Sequence, residues 1–350
     1  MDVSAPGTGA QAQDGMSPAP LRDRAVRDLA VSVVIPTYRR DDALRRCLEG
    51  VAAQEFPRDR FEVIVVDDAR SATAAAVVAA VAARHPDLRL HLLPGPGRGP
   101  AAARNIGWRA AEGEVVAFID DDAYPADATW LREGSAPFAD PAVVGVCGTV
   151  RVPADDPPTD YQRNVRHLEA GGFITCNAFY RRSALQRAGG FDERFTAPFR
   201  EDSDLHFRIE SGGGVLTANP RAAVVHPAPP GRFGVSLRLQ RYSMYNALLY
   251  KKHPERYRRE LQRLPPLHYY AMVGLALGGS TLLLAGQPGW AAACFVPWAV
   301  LQGAFFYRRA RGTSHRPRHL LDLAVTSLLI PPLSVFWRLY GAVRYRVLFI

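Results

Sequence analysis

Val115-Val116-Ala117-Phe118-Ile119-Asp120-Asp121-Asp122 is an apolar run that ends in three consecutive carboxylates. A short apolar run bounded by polar residues reads as a buried strand. Three acids at the tip of such a strand carry an electrostatic cost unless a cation or another partner offsets it. Hard divalent cations such as Mg²⁺ and Mn²⁺ take oxygen ligands, and Mg²⁺ commonly also binds substrate phosphates. Alone, the stretch reads two ways: a metal–phosphate site at the carboxyl end of a sheet, or a solvated acidic loop or helix N-cap.

Upstream, the pattern alternates. A strand is expected over 31–35, closed by Pro36, then a helix from Asp41 or Asp42 to about Gln54. A second strand over 61–66 ends in Asp67-Asp68, and a helix follows over 71–84. A third strand over 88–93, a Gly/Pro loop over 95–100 and a helix over 101–111 lead into the acidic stretch. Strands alternating with helices imply a parallel sheet covered on both faces. Ligands of such sheets sit beyond the carboxyl ends of the strands. Pro36-Thr37-Tyr38, Asp67-Asp68 and Asp120 to Asp122 all fall on that edge, a convergence a solvated loop does not predict. The 95–100 loop lacks G-x-G-x-x-G spacing and does not follow the first strand, so it is no dinucleotide fingerprint.

Downstream, strands are expected over 143–152 and 175–180, with a helix over 181–188. A further helix over 200–211 opens on Glu201, Asp202 and Asp204 and stops at Gly212 to Gly214. Short strands follow over 215–218 and 222–225, the second ending at His226-Pro227.

The chain has 350 residues and a net charge of +9. From Lys251 onward basic residues flank two uncharged apolar segments, 269–287 and 290–307, joined by Gln287-Pro288-Gly289. Their lengths lie near the lower bound for a spanning helix. Arginines before and after the pair, and none in the link, predict a hairpin with both ends in the cytoplasm. A third apolar stretch, 320–337, is interrupted by Pro331-Pro332. A third span would leave Arg338, Arg344 and Arg346 outside, so an interfacial or re-entrant segment is expected. The basic excess then reads as affinity for anionic membrane lipid, not nucleic acid. Four scattered cysteines, without a CxxC pair, argue against zinc and disulfides and fit a reducing compartment. The expected organisation is a disordered leader over 1–30 without a signal-peptide core, a catalytic domain over 31–250, and a membrane-associated region over 251–350.

The ordered set Val33-Val-Ile-Pro-Thr-Tyr38, Val65-Val-Asp-Asp68, Gly99-Pro-Ala-Ala-Ala-Arg-Asn-Ile-Gly107, Phe118-Ile-Asp-Asp-Asp122, Gly190-Phe-Asp-Glu193, Arg200-Glu-Asp-Ser-Asp204 and His226 resembles family 2 glycosyltransferases. The resemblance covers about residues 31–227. It implies the α/β GT-A fold, a Rossmann-like, mostly parallel sheet with helices on both faces. It also implies a uridine or guanosine diphosphate sugar donor, a divalent metal (Mg²⁺ or Mn²⁺), and inversion at the anomeric carbon. By the resemblance, Asp120 and Asp122 flank the metal–diphosphate, with Asp121 as the alternative register, and His226 is a further metal ligand. Pro36, Tyr38 and Asp68 match the nucleoside pocket, and Arg104 matches a diphosphate or sugar contact, while Asn105 braces its loop. Asp202 matches the general base, Glu201 its helper and Asp204 the fallback. Asn177 lies where the family places an acceptor-side strand. Processive members carry Gln-x-x-Arg-Trp, whereas Gln240-Arg-Tyr-Ser243 has only the Gln, so a single transfer is expected. The acceptor is expected to be a glycan or lipid held at the cytoplasmic face of the plasma or inner membrane. The rivals are a polyprenyl-phosphate sugar synthase and a non-catalytic membrane scaffold.

Overall fold

The computed structural model describes residues 30–349; the leader expected over 1–30 lies, but for Ala30, outside the described residues. Eight strands form one sheet: β1 (Val31–Thr37), β2 (Phe61–Asp67), β3 (Arg89–Pro94), β4 (Val115–Phe118), β5 (Tyr124–Pro125), β6 (Val143–Arg151), β7 (Ala178–Arg181) and β8 (Val215–Val225), ordered β3-β2-β1-β4-β7-β6-β8-β5. β1, β2 and β4 are buried along their whole length, as mostly apolar central strands are; the buried Ser32 of β1 donates to Glu62 of β2 at 2.6 Å. Side chains alternate between faces. Val33, Ile35, Val63 and Val65 pack under the helices Asp41–Ala52 and Ala72–Arg84. Val34, Ile64, Val66 and Phe118 pack on the other face with Ala101, Ala103 and Trp108 of the helix Pro100–Ala110.

The sheet is mixed. β3, β2, β1 and β4 run parallel, whereas β7 is antiparallel to both β4 and β6. The strand expected over 175–180 begins as a 3₁₀ turn, Thr175–Asn177, and only then becomes β7. The two short strands expected over 215–225 are one strand, β8, with a register shift opposite Gly148/Thr149. β5 has no sequence signal: two residues pair Tyr124 with Val225, which fixes the chain just after the acidic triplet beside the end of β8.

No clean break occurs at residue 250. The helix Tyr245–Lys252 buries Tyr245, Leu248 and Leu249 with Phe195, Phe207, Tyr257 and Phe349. Lys252, expected in a basic linker, lies 2.6 Å from carboxylate oxygens of both Asp192 and Asp204. Three helices, Leu267–Leu284, Pro288–Ala310 and Pro317–Tyr345, are long and apolar enough to cross a membrane, by length and composition. The third is a single helix; the interruption expected at Pro331-Pro332 does not occur. Its apolar window is 39% buried, against 11% for the other two. Both its ends meet the segment that follows β8. Asp322 accepts a bond from Gly234 N at 2.7 Å, and a Cβ on Gly341 would come within 2.6 Å of the Met244 carbonyl oxygen, so glycine permits the approach.

Candidate active site

Register builds the site. Val34 of β1 stands opposite Phe118 of β4, so the chain leaves β4 beside Pro36 and Thr37. Asp121 turns inward there. Its carboxylate accepts from Thr37 Oγ1 at 2.8 Å, Tyr38 N at 3.4 Å and Arg40 Nη1 at 3.1 Å. Burial, opposed by Arg40, pushes its pKa up to about 6. Asp120 and Asp122 face elsewhere. With His226 they place one ligand atom each within 4.8 Å of one another. Asp122 Oδ1 lies 3.3 Å from His226 Nε2, and Asp122 is also held by Arg40. Burial lowers the His226 pKa, but the bond and charge of Asp122 outweigh it and the net direction is up.

Two carboxylates and one imidazole make an oxygen-rich donor set of the kind that suits Mn²⁺ or Mg²⁺. His226 Nδ1 is buried without a hydrogen-bond partner, so the imidazole has unmet polar capacity. The residues therefore fit such an ion. Asp121 is committed to the end of β1, so of the two registers the geometry gathers Asp120 and Asp122 around the ligand space.

Arg104 connects this corner to the next. From a helix, with 2% exposure, it donates Nη2 to Asp120 Oδ1 at 2.6 Å and Nη1 to Glu201 Oε1 at 2.9 Å. Burial works against its charge, but Asp120 and Glu201 outweigh that and its pKa rises. Glu201 opens the helix Glu201–Ser211 and is buried; burial and the neighbouring Asp202 push its pKa up to about 8 despite Arg104. Arg200, just before it, has φ +78°, a left-handed conformation that costs energy in a non-glycine residue and sets the direction of the helix start. Asp202 is partly exposed, and Oδ1 accepts from Ser203 N at 2.6 Å. Asp204 is different. It is fully buried against Lys252, His253 (2.9 Å) and Arg208 (2.8 Å), so the fallback base is locked in a structural cluster.

Pro36 is buried in β1, while Tyr38 is 54% exposed with the Arg39 guanidinium 5.3 Å from its ring centre. Asp68 accepts from Gly97 N at 2.7 Å and Gly99 N at 2.8 Å, which ties down the glycine-rich loop. Gly99 adopts φ +96° there. Ser71 caps the helix Ala72–Arg84 that follows. Asn105 braces the 189–193 loop through Phe191 N, Phe191 O and Glu193.

Asn177 departs from its expected place. It is 1% exposed; its amide donates to Thr149 O and Ala222 O and accepts from Trp130 Nε1, so it cross-braces β6, β8 and a helix rather than facing an acceptor. Conversely, Arg40 and Tyr161 escaped sequence reasoning. Both line a cavity of about 430 Å³ that also contains Asp122 and His226. The signal for Arg40 was present in Tyr38-Arg39-Arg40, directly after β1, where a cation can meet the triplet.

A family model described as Glycosyl transferase family 2 matches residues 32–198, and one described as Glycosyl transferase family group 2 matches residues 160–308. The chain belongs to glycosyltransferase family 2. This family 2 enzyme is 28% identical over 221 residues to Glycosyltransferase AglE of Haloferax volcanii, covering 60% of this chain and 70% of that one. It is 33% identical over 211 residues to the Pre-mycofactocin glycosyltransferase of Mycobacterium tuberculosis, covering 56% of this chain but only 42% of that one. Its fold is similar to that of mannosyltransferase PcManGT from Pyrobaculum calidifontis, solved in complex with GDP-Man and Mn²⁺, with a TM-score of 0.54 at 23% identity over 91% of this chain and 88% of that one. The glycosyltransferase thus has a GT-A fold and apolar C-terminal helices that fit membrane association.

Proposed function

We propose that this glycosyltransferase is metal-dependent and inverting, and moves one sugar from a nucleoside diphosphate donor to a membrane-held glycan or lipid at the cytoplasmic face. The observation that carries the reading is the Arg104 bridge. One guanidinium joins a carboxylate of the Asp120/Asp122/His226 cluster to Glu201, the neighbour of Asp202. Leaving-group and acceptor chemistry would thus lie one side chain apart.

Asp120, Asp122 and His226 would hold Mn²⁺ or Mg²⁺, which when bound offsets charge on the departing diphosphate. The complex of PcManGT with GDP-Man and Mn²⁺ supports that class of donor and metal. Tyr38 offers an open ring for stacking on the base, and the loop anchored by Asp68 closes the nucleoside side. Asp202 has the exposure a general base needs. It takes the proton of an acceptor hydroxyl as that oxygen attacks the anomeric carbon opposite the leaving diphosphate. A single displacement inverts the configuration. Glu201, fixed by Arg104, orients the pair.

A thermal-shift screen of uridine and guanosine diphosphate sugars with Mn²⁺ tests the reading. Saturating donor at about 100 times its Kd adds about 2.7 kcal/mol to stability, a clear shift. No shift with any donor, with or without metal, would sink it.

A further inference from the structure

The junction of the second and third apolar helices borders a cavity of about 440 Å³, walled by residues 155–161, residues 230–235 and the start of the third helix. Its frame is fixed. Ser314 N donates to Pro158 O at 2.8 Å, Asp160 N to His319 Nε2 at 3.4 Å and Gly234 N to Asp322 Oδ1 at 2.7 Å. The buried Arg309 clamps Asp160 Oδ2 at 2.7 Å and bonds Thr326 and Ser327 behind it. The cavity is therefore part of how the apolar helices dock, not a gap between loose segments.

Arg232, Arg316 and Arg318 line it, from two different walls. Among the described residues none of the three guanidinium groups makes a side-chain hydrogen bond or an ion pair. Of the lining carboxylates, Asp322 is committed to Gly234 N, while Asp155 and Asp156 lie exposed. Three open guanidinium forks suit phosphate oxygens, and the nearby acids favour one phosphate group over a polyanion. Tyr161 lines this cavity and also the one containing Asp122 and His226, so the two meet at a single side chain.

We propose that this cavity is the headgroup site for a phosphate ester carried on a membrane lipid, which presents the acceptor to the catalytic cavity past Tyr161. The proposal rests on the glycosyltransferase reading above. Arg232, Arg316 and Arg318 hold the phosphate, and the acyl or prenyl chain leaves along the apolar helices.

The test uses the full chain in phosphatidylcholine nanodiscs, titrated with dodecyl phosphate. Dodecanol and inorganic phosphate are parallel arms. Dodecyl phosphate should bind saturably, and dodecanol and inorganic phosphate at equal concentration should not. R316A/R318A, and separately R232A, should weaken binding at least about tenfold, since charge-assisted bonds are lost. Arg308→Ala, exposed in the same basic region but outside the cavity, should leave binding unchanged. Equal binding of inorganic phosphate would mean a free-phosphate site, and equal loss in R308A would mean surface charge alone. Either result overturns the proposal. Nucleotide binding with Mn²⁺, measured on the same samples, keeps the readings apart. If it persists in every variant while dodecyl phosphate fails to bind wild type, only this inference falls; if wild type binds no nucleotide, the donor reading falls.

Discussion

Arg104 Nη2 lies 2.6 Å from Asp120 Oδ1, and the same guanidinium holds Glu201 with its other terminal nitrogen. A lysine carries the charge but cannot make this fork. Arg104→Lys is expected to lower nucleoside diphosphate release by about 10²–10³-fold, the range seen when a positioned donor is removed. The thermal midpoint should fall as well, because Glu201 loses a buried partner. Steady-state kinetics alongside thermal unfolding checks both.

Variants of Asp202 and Asp204 should separate chemistry from structure. Asp202→Asn should leave the thermal midpoint and donor binding unchanged while sugar transfer to a hydroxyl falls by about 10²–10⁴-fold. Asp204→Asn strips a fully buried carboxylate from Lys252, His253 and Arg208. It should destabilise by about 3–5 kcal/mol, as breaking a buried pair does. Equal activity losses with equal unfolding shifts would contradict the assignment.

Much of this site was legible in the sequence, for identifiable reasons. The runs 31–35, 61–66 and 115–119 are apolar but for Ser32 and Glu62, so the strands and the polar residues at their carboxyl ends follow from burial. Long-range contacts were not legible. His226 meets Asp122 because Tyr124 pairs with Val225, a two-residue strand with no signature. The family resemblance puts Asn177 on the acceptor side; its three partners, Trp130, Thr149 and Ala222, are distant in sequence and leave no local signal. The third apolar helix continues through Pro331 and Pro332, where the local rule predicts a stop. Its packing on the segment that follows β8 outweighs that rule.

Arg40 sits against both Asp121 and Asp122. An ion entering beside Asp122 competes with this guanidinium. The Arg40 side chain is 53% exposed, so the competition is modest. Arg40→Ala should tighten Mn²⁺ binding to the donor-free enzyme by about two- to fivefold, read by calorimetric titration. Weaker binding would mean that Arg40 supports the site instead of guarding it.

Glu201 gives stability a pH dependence. Its folded pKa, up to about 8, lies above the ordinary carboxylate value. Its contribution is therefore full below the unfolded pKa and is lost as pH rises through about 8. Glu201→Gln should flatten the decline in thermal midpoint between pH 5 and pH 9, with a change of about 2–4 °C for each kcal/mol removed. An unchanged slope would show that Glu201 is ionised throughout.

The most direct measurement is nucleoside diphosphate release from a panel of uridine and guanosine diphosphate sugars, run with Mn²⁺, with excess chelator, and with Asp120→Asn and Asp122→Asn. The predicted result is release from one donor class with Mn²⁺, abolished by chelator and reduced at least about 100-fold in both variants. Full release in chelator, or wild-type rates in both variants, would contradict the metal-dependent mechanism.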